Sequence, residues 1–305
     1  MERRLLNLLS GLVSLFFIGF LACKKTPPQK IEVTPLQTLI NTDTTLTLFH
    51  RMILQANDAG LLNDAAVTVF FPRNSVLVQA GYPEIIIDSM SSTLADRIIR
   101  YQYLLSAVNT DSAGYTPNPT LLGIPLYIGK DSAGDLLLNA SATAANKPTS
   151  VGKATVYYLN SLIPPGADSL TELLQTDTSL SLFAQIFSRT NLYDSLLQSG
   201  SFTVLAPVNN AILQVGYDSL GIDTASVDTL LQLAQNQVVK GTWFTTTFPS
   251  KVTTLSGGSI TVSVVNGILQ FAGATNPTAV AHLLSGDQVA GPGLILQRTD
   301  GVLSP

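Results

Sequence analysis

The chain of 305 residues carries 16 lysines and arginines against 20 aspartates and glutamates, a formal net charge of −4, and 12% of its residues are charged. A chain without an excess of basic residues lacks the positive surface that neutralises phosphates, so we exclude nucleic acid as a partner. Its single cysteine, Cys23, excludes a framework of disulfide bonds within the chain.

The first residues predict export and attachment to a membrane. Two arginines precede an apolar run from Leu5 to Ala22, and Cys23 follows directly. A charged start, an apolar segment and small residues before a cysteine are typical of a bacterial lipoprotein signal peptide, here residues 1–22, which is removed before the cysteine is lipidated. An uncleaved membrane anchor is the alternative, because 18 mostly apolar residues are just long enough to span a bilayer.

The next segment predicts a tether between the lipid and the folded chain. Residues 23–35, CKKTPPQKIEVTP, contain three lysines and three prolines and little that a core could bury. Such a composition favours an extended, solvated linker. We therefore expect a protein of the bacterial cell envelope that is held to the membrane by a lipid anchor. The outer membrane is the expected location, on its periplasmic or its surface face.

The remaining chain is one sequence written twice. TVFFPRNSV at Thr68–Val76 returns as SFTVLAPVNNA at Ser201–Ala211. In each copy, β-branched and aromatic residues favour a strand, a proline ends it, and an asparagine follows that we expect to cap a helix. The motif positions are Thr68, Pro72, Asn74 and Gln102 in the first copy, and Thr203, Pro207, Asn209 and Gln237 in the second.

The distance between the copies predicts two tandem domains. Pro72 and Pro207 are 135 positions apart, and so are Gln102 and Gln237. This separation is typical of domains of ordinary size and longer than the repeat of a solenoid. We therefore predict domains at 36–165 and 170–305.

Apolar periodicity predicts helices early and strands late in each copy, which indicates an α+β fold. Core-facing helical residues are predicted at Leu46, Phe49, Ile53 and Ala56, and at Leu180, Phe183 and Phe187. Further helices are predicted at Ser91–Ala107, with Leu94, Ile98, Tyr101 and Leu105 on one face, and at Ser226–Val239. Strands are predicted at Leu126–Ile128, Leu136–Asn139, Thr155–Leu159, Val252–Leu255, Ile260–Val265, Ile268–Phe271 and Leu294–Gln297, with a hairpin turn at Asn266-Gly267.

The second copy resembles a fasciclin-like, or FAS1, domain. The resemblance lies in Ser201–Ala211, in TTLSGGSITV at Thr253–Val262, and in the closing DGVLSP, which begins at Asp300. The first copy resembles a more diverged FAS1-like domain. The resemblance implies two tandem FAS1-like domains, each a wedge-shaped β-sandwich flanked by helices, and a role in adhesion. Family members often carry a Tyr-His pair in the central motif, whereas this chain has Tyr101-Gln102 and Asn236-Gln237.

The sequence offers little for catalysis. His50 and His282 lie in different copies, at positions that the other copy does not repeat. GYDSLG at 216–221 has one residue too many for a nucleophile elbow, and it predicts a turn. Carboxylates do not cluster at metal-ligand spacing. We therefore expect no enzymatic activity, no cofactor and no metal site.

A binding module on the membrane is the function that these features favour, with an envelope or matrix protein as its partner. A glycan-binding accessory lipoprotein of a nutrient-uptake system is the alternative, and a purely structural spacer is the third. Tyrosines of the first copy could stack on a sugar ring, although we expect most of them in the core: Tyr82, Tyr101, Tyr103, Tyr115 and Tyr127.

One short pattern is unusually frequent. An aspartate is followed by serine or threonine and then by a small or aliphatic residue, which resembles an O-glycosylation sequon that some Gram-negative bacteria use on exported proteins. The modified residues would be Thr44, Ser89, Ser112, Ser132, Ser169, Ser195, Ser219, Thr224 and Thr229. The alternative is that these dipeptides form turns and helix caps.

Overall fold

The computed structural model describes residues 33–63, 65–108, 114–144, 147–197 and 200–304. Thr34–Pro305 forms one compact unit. Within it, the first repeat (36–165) and the second repeat (170–305) each combine helices with a sheet, which confirms the α+β fold. The division into two separate domains stays a prediction. Cys23 and the predicted leader lie outside the described residues.

The first repeat begins with helices and continues with strands. Its helices are α1 (Pro35–Thr42), α2 (Thr47–Ala56), α3 (Asn74–Gln79), α4 (Glu84–Ser89) and α5 (Ser92–Tyr101), with 3₁₀ helices at Thr44–Leu46 and Ala59–Leu62. Its strands are β1 (Thr68–Pro72), β2 (Tyr103–Leu104), β3 (Thr116–Asn118), β4 (Leu126–Lys130), β5 (Leu136–Leu138), β6 (Ala142–Ala144), β7 (Thr149–Val151) and β8 (Ala154–Leu159).

The second repeat follows the same plan. Its helices are α6 (Leu170–Thr176), α7 (Ser181–Thr190), α8 (Leu192–Leu197), α9 (Asn209–Gln214), α10 (Ser219–Thr224) and α11 (Val227–Asn236), with a 3₁₀ helix at Thr178–Leu180. Its strands are β9 (Phe202–Pro207), β10 (Val238–Lys240), β11 (Lys251–Thr253), β12 (Ser259–Val265), β13 (Ile268–Gly273), β14 (Val280–Val289) and β15 (Leu294–Thr299).

The two sheets share one strand order. The first runs β2-β1-β8-β6-β5-β4-β3, with β7 paired to β8, and the second runs β10-β9-β15-β14-β13-β12-β11. In each sheet the strand that precedes the repeated proline is parallel to the last strand of the repeat. The other strand pairs are antiparallel. The chain therefore builds the same fold twice.

Each sheet curls until its two ends meet. Leu104 of β2 bridges Thr120, just beyond β3, and Val239 of β10 bridges Thr254, just beyond β11. Each sheet is thus a nearly closed barrel. The resemblance implied a sandwich of two layers, but in each repeat the strands of both layers belong to one continuous sheet. Closure leaves few unpaired edges along this sheet.

Helices pack against each sheet through residues that the apolar periodicity predicted to face the core. Phe49 and Ile53 of α2 are buried against the sheet of the first repeat, and Phe183 and Phe187 of α7 are buried in the second. Each such side chain contributes roughly 1.5–3 kcal/mol to folding when it leaves water. The prediction of core-facing residues is confirmed at these positions.

The predicted helix Ser91–Ala107 is too long. Helix α5 ends at Tyr101, because the chain turns there into β2, which pairs with β1. Leu94 and Leu105 are consequently exposed by 41% and 54%, and they do not join the buried face. The predicted helix Ser226–Val239 ends early for the same reason, since its last residues form β10.

The repeated asparagines do not cap the helices that follow them. The side chain of Asn74 accepts the backbone N–H of Leu48 at 2.9 Å, and that of Asn209 accepts the N–H of Leu182 at 3.0 Å. Those N–H groups belong to the first turns of α2 and α7, which begin after leucines that have no capping oxygen. Each asparagine therefore caps a distant helix and ties two helices together.

In the second repeat, one prediction was wrong and one strand was not predicted. The segment 216–221 was expected to be a turn, but Ser219–Thr224 is helix α10, whose Gly221 N–H is accepted by Asp218 at 2.7 Å. Strand β14 was not predicted at all, although it is ten residues long. The turn at Asn266-Gly267 is confirmed, with φ of 51° and 81° at its two residues.

Candidate functional site

A groove of about 730 Å³ lies in the second repeat between helix α9 and the sheet. One wall is formed by the start of strand β14 with the residues just before it and by the residues that follow strand β15. Helix α9 and its flanking residues form the other wall. Its lining is Val208, Asn210, Ala211, Gln214, Val215, Thr278, Ala279, Val280, His282, Leu284, Asp300, Gly301 and Val302.

A histidine and an aspartate form the polar centre of this groove. The backbone N–H of His282 donates to Asp300 Oδ1 at 2.6 Å, and the ring Nδ1 lies 2.9 Å from Asp300 Oδ2. The N–H of Asp300 donates in turn to the carbonyl of His282 at 3.1 Å. Strand pairing therefore fixes both side chains. The second ring nitrogen, Nε2, has no partner within the described part of the chain and is available to a ligand.

The helical wall carries two primary amides. Asn210 and Gln214 are four residues apart, so they lie on the same face of α9. Both are exposed, and neither side chain hydrogen-bonds to another described residue. The lining between the two walls is mostly aliphatic, with Ala211 almost fully buried. The groove thus combines hydrogen-bonding groups on two walls with an apolar surface between them.

The described residues place no nucleophile beside the histidine of this groove. The hydroxyl of the groove, on Thr278, donates to Asn276 at 2.9 Å. Among the described residues, no hydroxyl or thiol is hydrogen-bonded to the ring of His282. A serine- or cysteine-type nucleophile needs that contact.

The first repeat does not reproduce this pair. Asn160 N–H donates to the carbonyl of Thr143 at 2.8 Å, which is the same backbone contact that joins Asp300 to His282. Thr143 and Asn160 therefore occupy the equivalent positions. In the sequence, His282 stands at a position that the first copy does not repeat and Asp300 begins the closing motif. The pairing of β14 with β15 brings the two residues together.

A second cavity, of about 500 Å³, lies where the two repeats meet. Tyr127 accepts the N–H of Gly293 at 3.0 Å, and the hydroxyls of Tyr115 and Thr246 are 3.1 Å apart. The ring of Phe244 lies 4.7 Å from that of Tyr115 and 5.3 Å from that of Tyr127, between centroids. Burial raises the pKa of both tyrosines. This surface joins the repeats.

The candidate tyrosines do not form a platform for sugars. Tyr101, Tyr103 and Tyr127 are buried, and Tyr82 packs against the core of the first repeat. Burial raises the pKa of Tyr101 and Tyr103 well above its usual range. The ring of Tyr115 lies between Phe244 and Gly129, where a Cβ would stand 3.1 Å from the ring. Stacking on a sugar needs an exposed ring face, and Tyr101 and Tyr103 are too deeply buried to supply one. Tyr115 and Tyr127 line the 500 Å³ cavity between the repeats and pack against Phe244.

The repeated motif residues make contacts inside the fold. The hydroxyls of Thr68 and Thr203 each donate to a backbone carbonyl at 2.8 Å, and Pro72 and Pro207 end their strands. Gln102 and Gln237 are fully buried. Their amides hold the segment that follows the last strand of each repeat, at Ile163 and Leu303, 3.0 and 2.9 Å away.

The predicted sequons differ in accessibility. Thr44, Ser89, Ser132, Ser219, Thr224 and Thr229 are exposed. Ser169 is half-buried and accepts the N–H of Glu172 at 3.1 Å as a helix cap. Ser112 and the side chain of Ser195 lie outside the described residues, as does Cys23. Modification of these positions stays a prediction.

Clusters of metal-ligand residues and membrane-spanning helices are both absent from the described part of the chain. Within it, no group of three or more histidine, cysteine, aspartate or glutamate residues is placed to hold a metal ion. No described helix has the length and apolar character needed to cross a bilayer.

A protein-family model matches most of the second repeat. The family model of the Fasciclin domain matches residues 178–305. A solved structure titled as a FAS1 domain pair from the insect cell adhesion molecule Fasciclin I is 13% identical, with a TM-score of 0.40, and the match covers 86% of this chain and 97% of that one. No curated protein matches the chain significantly. The first repeat lies outside the matched residues, but its sheet has the same strand order as that of the second repeat.

Proposed function

We propose that the protein is a non-catalytic adhesion or interaction lipoprotein of the bacterial envelope, because residues 178–305 match the family model of the Fasciclin (FAS1) domain and the first repeat shares the strand order of the second. FAS1 domains are typically modules of adhesion and interaction. The partner would be an envelope or matrix protein.

The groove beside α9 is the observation that carries this proposal. It presents His282 Nε2 and two free amides to a ligand, and its histidine has no nucleophile beside it among the described residues. Such a surface favours binding of a partner over its chemical conversion. The glycan alternative has less support, because Tyr101 and Tyr103 lie in the core and the rings of Tyr115 and Tyr127 pack against Phe244.

The anchor is proposed at Cys23, on the evidence of the sequence. We expect Cys23→Ala to abolish lipid attachment, because the thiol is the atom that the lipid would modify. Metabolic labelling with a radioactive fatty acid, followed by membrane fractionation, checks this. The wild type should be labelled and sediment with membranes, as should a Lys24→Ala control. A labelled, membrane-bound Cys23→Ala product would show that the assignment is wrong.

The partner class is tested on a soluble fragment, Lys24–Pro305, in a glycan array and an envelope pull-down run side by side. We expect a discrete envelope or matrix protein to be retained and no polysaccharide signal, because the described lining of the groove beside α9 has no aromatic ring to stack on a sugar. Specific retention of a polysaccharide would instead support the capture alternative. Retention of neither class would support the structural spacer.

A further inference from the structure

We propose that the groove beside α9 in the second repeat binds an extended polypeptide segment of the partner through hydrogen bonds to the backbone of that segment. This inference rests on the proposed interaction role and names the site and the ligand class. The first repeat does not carry the His–Asp pair, so the site belongs to the second repeat.

The spacing of the amides matches the repeat of an extended chain. Asn210 and Gln214 are separated by four residues of helix, or about 6 Å along the axis at 1.5 Å per residue. Alternate residues of an extended peptide are separated by about 6.6 Å. Each primary amide has a donor and an acceptor, as each peptide unit has. The two side chains can therefore pair with alternate backbone units of one extended ligand.

The opposite wall adds a third polar contact and a place for side chains. His282 Nε2 is held in position by the two bonds that Asp300 makes to the residue. Val215 and Leu284, which also line the groove, are exposed by 47% and 55%, so two apolar side chains remain in contact with water there. Ligand side chains that lie between the hydrogen-bonded backbone groups would cover Val215 and Leu284.

The charge of the groove favours a neutral backbone over other ligands. His282 and Asp300 are the titratable residues in its lining, and both carboxylate oxygens already accept bonds from His282. Among the described lining residues, no lysine or arginine is placed to bind a phosphate. The same described lining holds no tyrosine, tryptophan or phenylalanine to stack on a sugar. An uncharged, extended polypeptide is the ligand that these groups fit.

The test selects binders from a displayed library of random dodecapeptides on the full chain in detergent. A selected peptide, labelled with fluorescein, is then titrated by anisotropy against the wild type and four variants. We expect Gln214→Ala and His282→Ala each to weaken binding about tenfold, because each removes a ligand contact. Gln79→Ala is the matched control, since Gln79 is the equivalent of Gln214 in the first repeat, and it should bind like the wild type.

Backbone recognition is tested on the ligand itself. N-methylation of the peptide at alternate residues should abolish binding in one register and spare it in the other. Thermal melts of each variant check folding, and Asn210→Ala provides a second surface variant because Asn210 is exposed. Failure to select any peptide, or binding that Gln214→Ala and Asn210→Ala both leave unchanged, would overturn the inference. A protein partner that the envelope pull-down recovers equally with both variants would leave the proposed function intact and remove only this site.

Discussion

Replacing Phe244 with alanine is expected to lower the free energy of unfolding by about 3–5 kcal/mol, the usual cost of truncating a fully buried phenylalanine. Phe244 belongs to the second repeat but lies in the core of the first, with 0% of its surface exposed. Its ring contacts Tyr115 and Tyr127, both from the first repeat. The substitution therefore removes the aromatic contact that joins the two repeats.

The cavity left by Phe244→Ala should not collapse easily, because the surrounding segment is held at several points. The N–H of Phe244 donates to Thr247 Oγ1 at 3.0 Å, and the N–H of Thr245 donates to Asp287 Oδ1 at 2.7 Å. Gln297, also buried, donates to the carbonyl of Trp243 at 3.0 Å. A segment fixed on both sides of the deleted ring retains most of the void and its cost.

Urea unfolding followed by circular dichroism measures this effect. We expect the wild type to unfold in one transition and Phe244→Ala to unfold in two, as the repeats lose their coupling. Phe248→Ala is the control, because Phe248 is partly buried and packs on Phe271 within the second repeat, 5.3 Å between centroids. It should lower stability without splitting the transition. A loss below about 1 kcal/mol with a single transition would show that Phe244 does not couple the repeats.

The fold could be predicted from the sequence where local rules and repetition agree. Thr68–Pro72 and Phe202–Pro207 form equivalent strands, because the repeated prolines stop both ladders. The turn at Asn266-Gly267 was predictable because those residue types tolerate positive φ. Such signals are local, and two copies in register strengthen them.

Strand β14 could not be predicted because its sequence does not alternate. It pairs with β13 over its first residues and with β15 over the remainder, and its register with β15 shifts twice, between Leu283 and Ser285 and again before Gln288. Asp287 has a φ of 62° within this irregular stretch. A strand that bulges exchanges its inward and outward faces, which removes the period of two.

The candidate site could not be predicted from the sequence for a related reason. His282 and Asp300 are 18 residues apart, and only the pairing of β14 with β15 brings them into contact. Nothing in the sequence shows what faces the two amides of α9 across the groove. The elements of the site could be read from the sequence, but their arrangement depends on tertiary pairing.

Replacing Gln237 with alanine is expected to cost about 3 kcal/mol, more than the same change at Gln102. Gln237 Nε2 donates to the carbonyls of Leu233 and Leu303 at 3.1 and 2.9 Å, and its Oε1 accepts the N–H of Leu303 at 2.9 Å. Alanine leaves the N–H and C=O of Leu303 buried without these partners, and each such loss costs about 1–3 kcal/mol.

Gln102 provides the matched comparison because it occupies the same place in the first repeat. Its Nε2 donates to the carbonyls of Ile98 and Ile163 at 3.2 and 3.0 Å, but its Oε1 has no hydrogen-bond partner among the described residues. Gln102→Ala therefore removes fewer bonds and also removes a buried, unsatisfied oxygen, so we expect a cost of about 1–2 kcal/mol. Urea midpoints of the two variants measure the difference. Equal losses would show that the closing Leu303 contact does not stabilise the second repeat, whereas a larger loss for Gln237→Ala assigns that role to its amide.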